Sequence, residues 1–246
     1  MQGVPTLNPV AGFSNAPIDS FGARFPTPLW PGSFYTWFSD FDSFDRALTA
    51  TGLTDWSVAG TNAAIANSSV TDAFGGVVSI ATAAADNDQF IAQWGGSNTG
   101  TNVAETFTFV AGKECFFACR FQLADVIESD FIIGLAIAGS TPISVADGVF
   151  FQKADGAATL SLVSNIATPL SASDTVATLV NATWIEAAYH YNGVDAINAY
   201  INGNFAGSVG ITALPTTELA VTFGIQSGEA VAKSALVDWI YAARER

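Results

Sequence analysis

Between residues 106 and 138 the chain alternates polar and apolar positions with a period of two. In Thr106–Val110, Phe107 and Phe109 share a face. After a turn at Ala111-Gly112-Lys113, Cys115, Phe117, Cys119 and Phe121 fall on one side, and Phe116, Ala118 and Arg120 on the other. This period marks a half-buried strand. The next run, Asp130–Ala138, is almost wholly apolar, as a strand covered on both faces is. Three consecutive strands are therefore predicted here, and they form the centre of the fold.

The pattern extends in both directions. Upstream, Val77–Thr82 and Gln89–Trp94 are strands separated by the polar turn Asp86-Asn87-Asp88. Downstream, Asp147–Gln152 and Thr159–Val163 flank Asp155-Gly156. Trp184–Tyr191 alternates cleanly, with Trp184, Glu186, Ala188 and His190 on one face and Ile185, Ala187, Tyr189 and Tyr191 on the other. Ala196–Ile201 and Asn204–Val209 enclose Asn202-Gly203, a pair that accepts the positive φ of a type I′ hairpin turn. Leu219–Gln226 follows. Ala235–Ala242 closes the series, with Leu236, Asp238 and Ile240 set against Val237, Trp239 and Tyr241. The sum is about a dozen short strands, and the only helix signal is a short stretch capped by Asp42 or Ser43 and ending at Gly52. The expected fold is all-β, a β-sandwich.

Residues 1–36 break the pattern. They hold six of the nine prolines, at 5, 9, 17, 26, 28 and 31. Proline lacks a backbone donor and fixes φ, which disfavours helix and central strand. The same stretch carries Phe13, Phe21, Phe25, Leu29, Trp30, Phe34 and Tyr35, whereas disordered tails are poor in aromatics. The predicted organisation is an extended arm over 1–36 and a sandwich over 37–246. The arm either wraps its own domain or reaches a neighbouring subunit, and Trp30, Phe34 and Tyr35 are its contact candidates.

Composition narrows the function. Of the 246 residues, half are hydrophobic and 12% are charged, against about 25% in average soluble proteins. The net charge is −14, from 22 acidic and 8 basic residues. That balance opposes sequence-independent nucleic-acid binding and docking on anionic lipid. The N-terminal stretch lacks the basic and apolar regions of a secretory signal, and no apolar run is long enough to span a bilayer. Cys115 and Cys119 on one strand stand roughly 13 Å apart, and a disulfide needs Cα atoms within about 7 Å. Two free, buried thiols are expected, in keeping with assembly in a reducing cytoplasm.

Candidate chemistry is sparse. His190 is the only histidine and no nucleophile elbow accompanies it. The two cysteines and this distant histidine do not make a recognisable zinc site, and no phosphate-binding glycine loop is present. Asp40, Asp42 and Asp45 do not match a calcium loop. Asp86, Asn87, Asp88 and Asp147 are loop residues of the type lectins use for metal, but polar turns account for them. No cofactor, metal ligand or catalytic residue is assigned.

Four stretches resemble the concanavalin A-like lectin/glucanase family, which includes laminin G-like domains, and the resemblance implies its antiparallel jelly-roll β-sandwich. They are Asp40-Phe41-Asp42 with Trp56 and the Gly75–Ile80 strand; Gly112-Lys113 before an aromatic strand ending in Arg120-Phe121, then Gly134-Leu135; Trp184 followed by Ala199-Tyr200-Ile201-Asn202-Gly203; and Val237-Asp238-Trp239-Ile240-Tyr241. Within that family the low-charge chain is similar to tailed-bacteriophage structural proteins. The resemblance implies a non-enzymatic virion protein, assembled in the host cytoplasm, that decorates or cements a capsid. Its implied partners are the major capsid protein or other virion proteins and further copies of itself. The alternative is a carbohydrate-binding, lectin-like host-adhesion appendage with a glycan as ligand. The family's glucanases carry two glutamates around an aspartate on one strand. Here Glu128-Ser129-Asp130 is followed by Phe131, Ile132 and Ile133, so the second glutamate is missing. Retaining hydrolysis needs paired carboxylates.

Overall fold

The computed structural model describes residues 33–41, 56–61, 66–69, 76–95, 106–139, 144–167 and 170–246. These residues form fifteen strands and one turn of 3-10 helix, Ile211–Ala213. In chain order the strands are β1 Phe34–Ser39, β2 Trp56–Thr61, β3 Ala66–Ser69, β4 Val78–Ala81, β5 Gln89–Trp94, β6 Cys115–Leu123, β7 Ser129–Ala136 and β8 Gly148–Lys153. They continue with β9 Thr159–Ile166, β10 Leu170–Thr178, β11 Ile185–Tyr191, β12 Ala196–Ile201, β13 Asn204–Gly210, β14 Ala220–Ser227 and β15 Ser234–Glu245. Among the described residues no helix is long and apolar enough to cross a membrane.

The strands make two antiparallel sheets packed as a sandwich. One runs β13-β12-β11-β6-β15-β4-β3, with β1 also paired to β15; the other runs β10-β9-β8-β7-β14-β5-β2. Neighbours in space are mostly not neighbours in sequence, as a jelly roll requires. The inner faces meet in one core. Phe117, Cys119, Phe121, Tyr189 and Ile240 come from the first sheet, and Phe131, Ile133, Phe151, Leu162 and Phe223 from the second. Stacked aromatics tie it together: Phe117 lies 5.2 Å from Tyr189, and Phe121 lies 4.8 Å from Phe131. The buried Tyr189 hydroxyl donates to the Val149 carbonyl at 2.8 Å, a polar link between the layers that satisfies its burial.

The central strands lie where alternation places them. All eight residues of β7 are buried. In β11, Ile185, Ala187, Tyr189 and Tyr191 face the core. The hairpin turn has φ of 48° at Asn202 and 81° at Gly203, the two positive angles of a type I′ turn. Both cysteines are free and buried, and burial pushes the Cys115 thiol up to about 12 despite the nearby Arg244.

Several sequence expectations change. Thr106–Val110 is not a strand: Phe107 makes an isolated bridge to Leu219, although Phe107 and Phe109 are both buried as their shared face predicts. The alternation predicted through β15 shifts at a bulge, because the pairing with β6 slips between Val237 and Trp239. A bulge inserts one unpaired residue and reverses the faces beyond it. Ile240 therefore points into the core, while Leu236 and Asp238 do not. Strand pairing begins at Phe34, so residues 34–36, counted with the arm from sequence, pair with Ala243–Glu245 of β15. The expected helix over 42–52 lies outside the described residues.

Candidate functional site

Two polar constellations stand out among the described residues, one on a sheet face and one at an end of the sandwich.

The first occupies the outer face of the larger sheet. Successive strand registers align one row of residues across six strands: Phe38 on β1, Tyr241 on β15, Ala118 on β6, Ala188 on β11, Tyr200 on β12 and Phe205 on β13. At about 4.8 Å per strand the row spans roughly 24 Å. The two alanines at its centre are small enough for the rings of Tyr200, Trp239 and Tyr241 to pack on them. Phe38 and Phe205 at the two ends are 59% and 63% exposed, and the Phe205 ring meets Tyr200 edge-on at 6.0 Å.

Polar groups line both sides of this row. On one side the Arg120 guanidinium lies 4.5 Å over the Trp184 ring and donates to the Asp238 carboxylate. Arg120 faces Glu186 across the β6–β11 pair, so Glu186 and Asp238 lie on the two strands that flank it. The bulge in β15 supplies this arrangement, since it turns Asp238 and Trp239 to the same face as Arg120. On the other side His190 stacks flat on Phe116 at 4.3 Å, with the Glu114 carboxylate 3.7 Å from Nε2.

The second constellation closes one end of the sandwich. Lys153 at the end of β8 is fully buried. Its ammonium donates to the main-chain carbonyls of Ile127, at 2.9 Å, and of Ser129. Burial lowers its pKa, opposed by the charges of Asp130, Asp155, Asp125 and Glu128. Burial likewise raises that of Asp130, whose Oδ1 accepts from Asp155 N at 2.8 Å. Beside them Lys233 donates to Asp125 at 2.7 Å and to Glu229 at 2.5 Å. The Lys233 hydrogen bond is the largest influence on Asp125 and lowers its carboxyl to about 2. Asp155 sits against Gly228, where a Cβ would lie 1.9 Å from Oδ1. These lysines hold loop carbonyls and carboxylates together. Lys153 and Ser129 are both fully buried.

The residues named from sequence fall as follows. Trp30 lies outside the described residues, as do Asp42 and Asp45. Phe34 meets the Phe116 ring edge-on at 6.2 Å. Tyr35 lies 5.4 Å from Phe107, with the Arg244 guanidinium 5.7 Å over it. Glu128 is in the β6–β7 loop, its N–H donating to Asp125. Asp86 is exposed, Asp88 is buried and accepts from Ala85 N at 2.9 Å, and Asp147 accepts from Ala167 N at 2.8 Å. Among the described residues no three His, Cys, Asp or Glu side chains gather as a metal site would need. Of the sheet-face residues, Trp184, Glu186, Ala188 and His190 were placed on one face by alternation. Their meeting with Arg120, Asp238, Trp239 and Tyr200 was not foreseen, because it depends on strand order and on a bulge.

No family model and no curated protein sequence matches the chain. Solved structures match its fold. A protein of unknown function from Shewanella oneidensis MR-1 superposes with TM-score 0.59 at 16% identity, covering 87% of each chain. The endo-β-1,4-glucuronan lyase of Trichoderma reesei gives 0.52 at 9%, over 84% of this chain and 94% of that one. Peanut lectin gives 0.52 at 9%, over 86% and 97%. The chain thus has the jelly-roll sandwich of the concanavalin A-like lectins and of lectin- and glucanase-like proteins more widely.

Proposed function

We propose that the protein binds saccharides without processing them, and that the outer face of the larger sheet is the binding surface. The observation that carries this reading is the aromatic row with its polar borders. Sugar rings present C–H faces that pack on aromatic rings, and hydroxyls that bond to charged and amide groups. A site of apolar rings with a few fixed polar groups suits such a ligand. An extended oligosaccharide fits a strip roughly 24 Å long laid across the strands. Two fold neighbours, the lyase and the lectin, bear names that denote saccharide chemistry, which supports the reading. Among the described residues of this face, Asp238 and Glu186 lie on the strands that flank Arg120, and Asp238 is bonded to its guanidinium. The proposal is therefore binding rather than hydrolysis.

The test is titration calorimetry against a panel of oligosaccharides. Trp184→Ala is expected to weaken binding about tenfold, on the scale of one lost aromatic stacking contact, with an unchanged thermal midpoint. Absence of binding to every oligosaccharide, or full binding by Trp184→Ala, would sink the reading.

A virion role is a second reading, favoured by the exposed rings of Phe38 and Phe205 on a chain with few charges. Exposed aromatics with few charges suit an interface core. Here the protein binds a capsid or appendage protein, or further copies of itself. Mass spectrometry of purified virus particles tests it: a fixed ratio to the shell protein supports it, and absence from particles removes it.

A further inference from the structure

We infer that Asp238 determines which saccharides the sheet face accepts, and that it selects neutral chains over acidic ones. The inference rests on the saccharide-binding reading. Among the described residues, Arg120 is the one cationic side chain that borders the row on the Trp184 side. Free, a guanidinium beside an aromatic platform would capture a sugar carboxylate through paired hydrogen bonds. Here it is engaged through one N–H and one face. Asp238 accepts from its Nη1, Trp184 covers its face at 4.5 Å, and Glu186 lies opposite on β11. One positive and two negative charges leave this border with a net negative charge, on a chain whose total is −14. A uronate or sulfated sugar approaching it meets net negative charge and a guanidinium already engaged by Asp238 and Trp184, and discrimination of this kind comes as much from the repelled competitor as from the favoured ligand. A neutral sugar bears no such penalty and bonds to the rim carboxylates through its hydroxyls.

The bulge is what makes Asp238 available. It inserts this residue between Val237 and Trp239 in the pairing with β6, and its side chain is 13% exposed against 33% for Arg120. Asp238 is thus the more buried partner, and its hydrogen bond to Nη1 fixes where the Arg120 guanidinium lies.

The experiment compares matched neutral and uronic-acid oligosaccharides on the wild type and on Asp238→Asn. Wild type is expected to prefer the neutral chain, with an affinity that changes little with salt. Asp238→Asn keeps the shape and removes the charge, so it is expected to shift the acidic-to-neutral ratio by about tenfold toward the acid, the size of one charge-assisted hydrogen bond. That gain is expected to vanish in Arg120→Gln/Asp238→Asn. Salt dependence measured on wild type alone keeps the test independent of how the variants fold. Preference of the wild type for the acidic chain, or steep weakening of neutral binding with salt, overturns the inference while the binding reading stands. So does an unchanged ratio in a folded Asp238→Asn. Failure to bind any oligosaccharide of either kind overturns both.

Discussion

Lys153 shows how a charged side chain is made to serve a core. Its position in β8 shares a face with Val149 and Phe151, which point inward, so its stem lies among apolar groups and its ammonium emerges at the end of the sandwich. There the carbonyls of Ile127 and Ser129 accept its hydrogen bonds. A buried ammonium is costly unless its hydrogen bonds are met, and here main-chain oxygens meet them. Lys153→Met fills the same space but leaves those carbonyls without a donor. Its expected cost is about 2 kcal/mol, read as a lower urea midpoint with an unchanged denaturant slope. The alternation of Trp184–Tyr191 made part of the candidate face legible from sequence, because a period of two assigns each residue a side. Asp238 was not legible in this way: a bulge leaves no mark on polarity, and Leu236, Asp238 and Ile240 read as one face although the last points inward.

At the level of elements, pattern succeeded where strands are apolar or regularly alternating, and failed where they are neither. The β12–β13 hairpin was readable from Asn202-Gly203 because few other pairs take two positive φ angles. Strand β10, LSASDTVAT, was missed because it is polar and forms an edge, so no apolar face announces it. Strand β1 was missed altogether, because prolines precede it and a short helix was expected after it. Strands β7 and β8 depend on a close approach that sequence does not reveal. At Gly134 an added Cβ would lie 2.5 Å from the Phe150 Cα and 2.6 Å from the Val149 carbonyl oxygen. Both atoms are fixed by the neighbouring strand, so relief requires moving backbone. Gly134→Ala is expected to destabilise the protein by about 3 kcal/mol, measured by equilibrium unfolding. A fully stable variant would show that the two strands slide apart without penalty.

For the molecule as a whole, acid provides a probe of the loop cluster. The Asp125 carboxyl titrates at about 2 in the fold against an ordinary 3.8, because the Lys233 ammonium bonds to its charged form. The folded state thus binds this proton less readily than the unfolded chain. The pairing contributes stability above about pH 4, and that contribution is lost as pH falls toward 2. Unfolding free energies measured across this range are expected to fall less steeply for Asp125→Asn than for wild type. Equal slopes would mean that the pair does not couple to folding.

The strand pairing of β1 also decides how the molecule bears force. Strand β15 is flanked on one side by β6 along its length, and on the other by β4 and then β1 in series. Phe34 pairs with Glu245, and Arg246 N donates to the Ser33 carbonyl at 2.9 Å, so the start of β1 and the end of β15 lie side by side. Tension that draws residue 33 away from residue 246 loads these bonds one after another and peels β1 like a zipper. Tension along the strand axis loads all six residue pairs of β1 together. The same joint is compliant to a pull in one direction and stiff in the other, so a tether attached before residue 33 would hold or yield according to the angle of the pull.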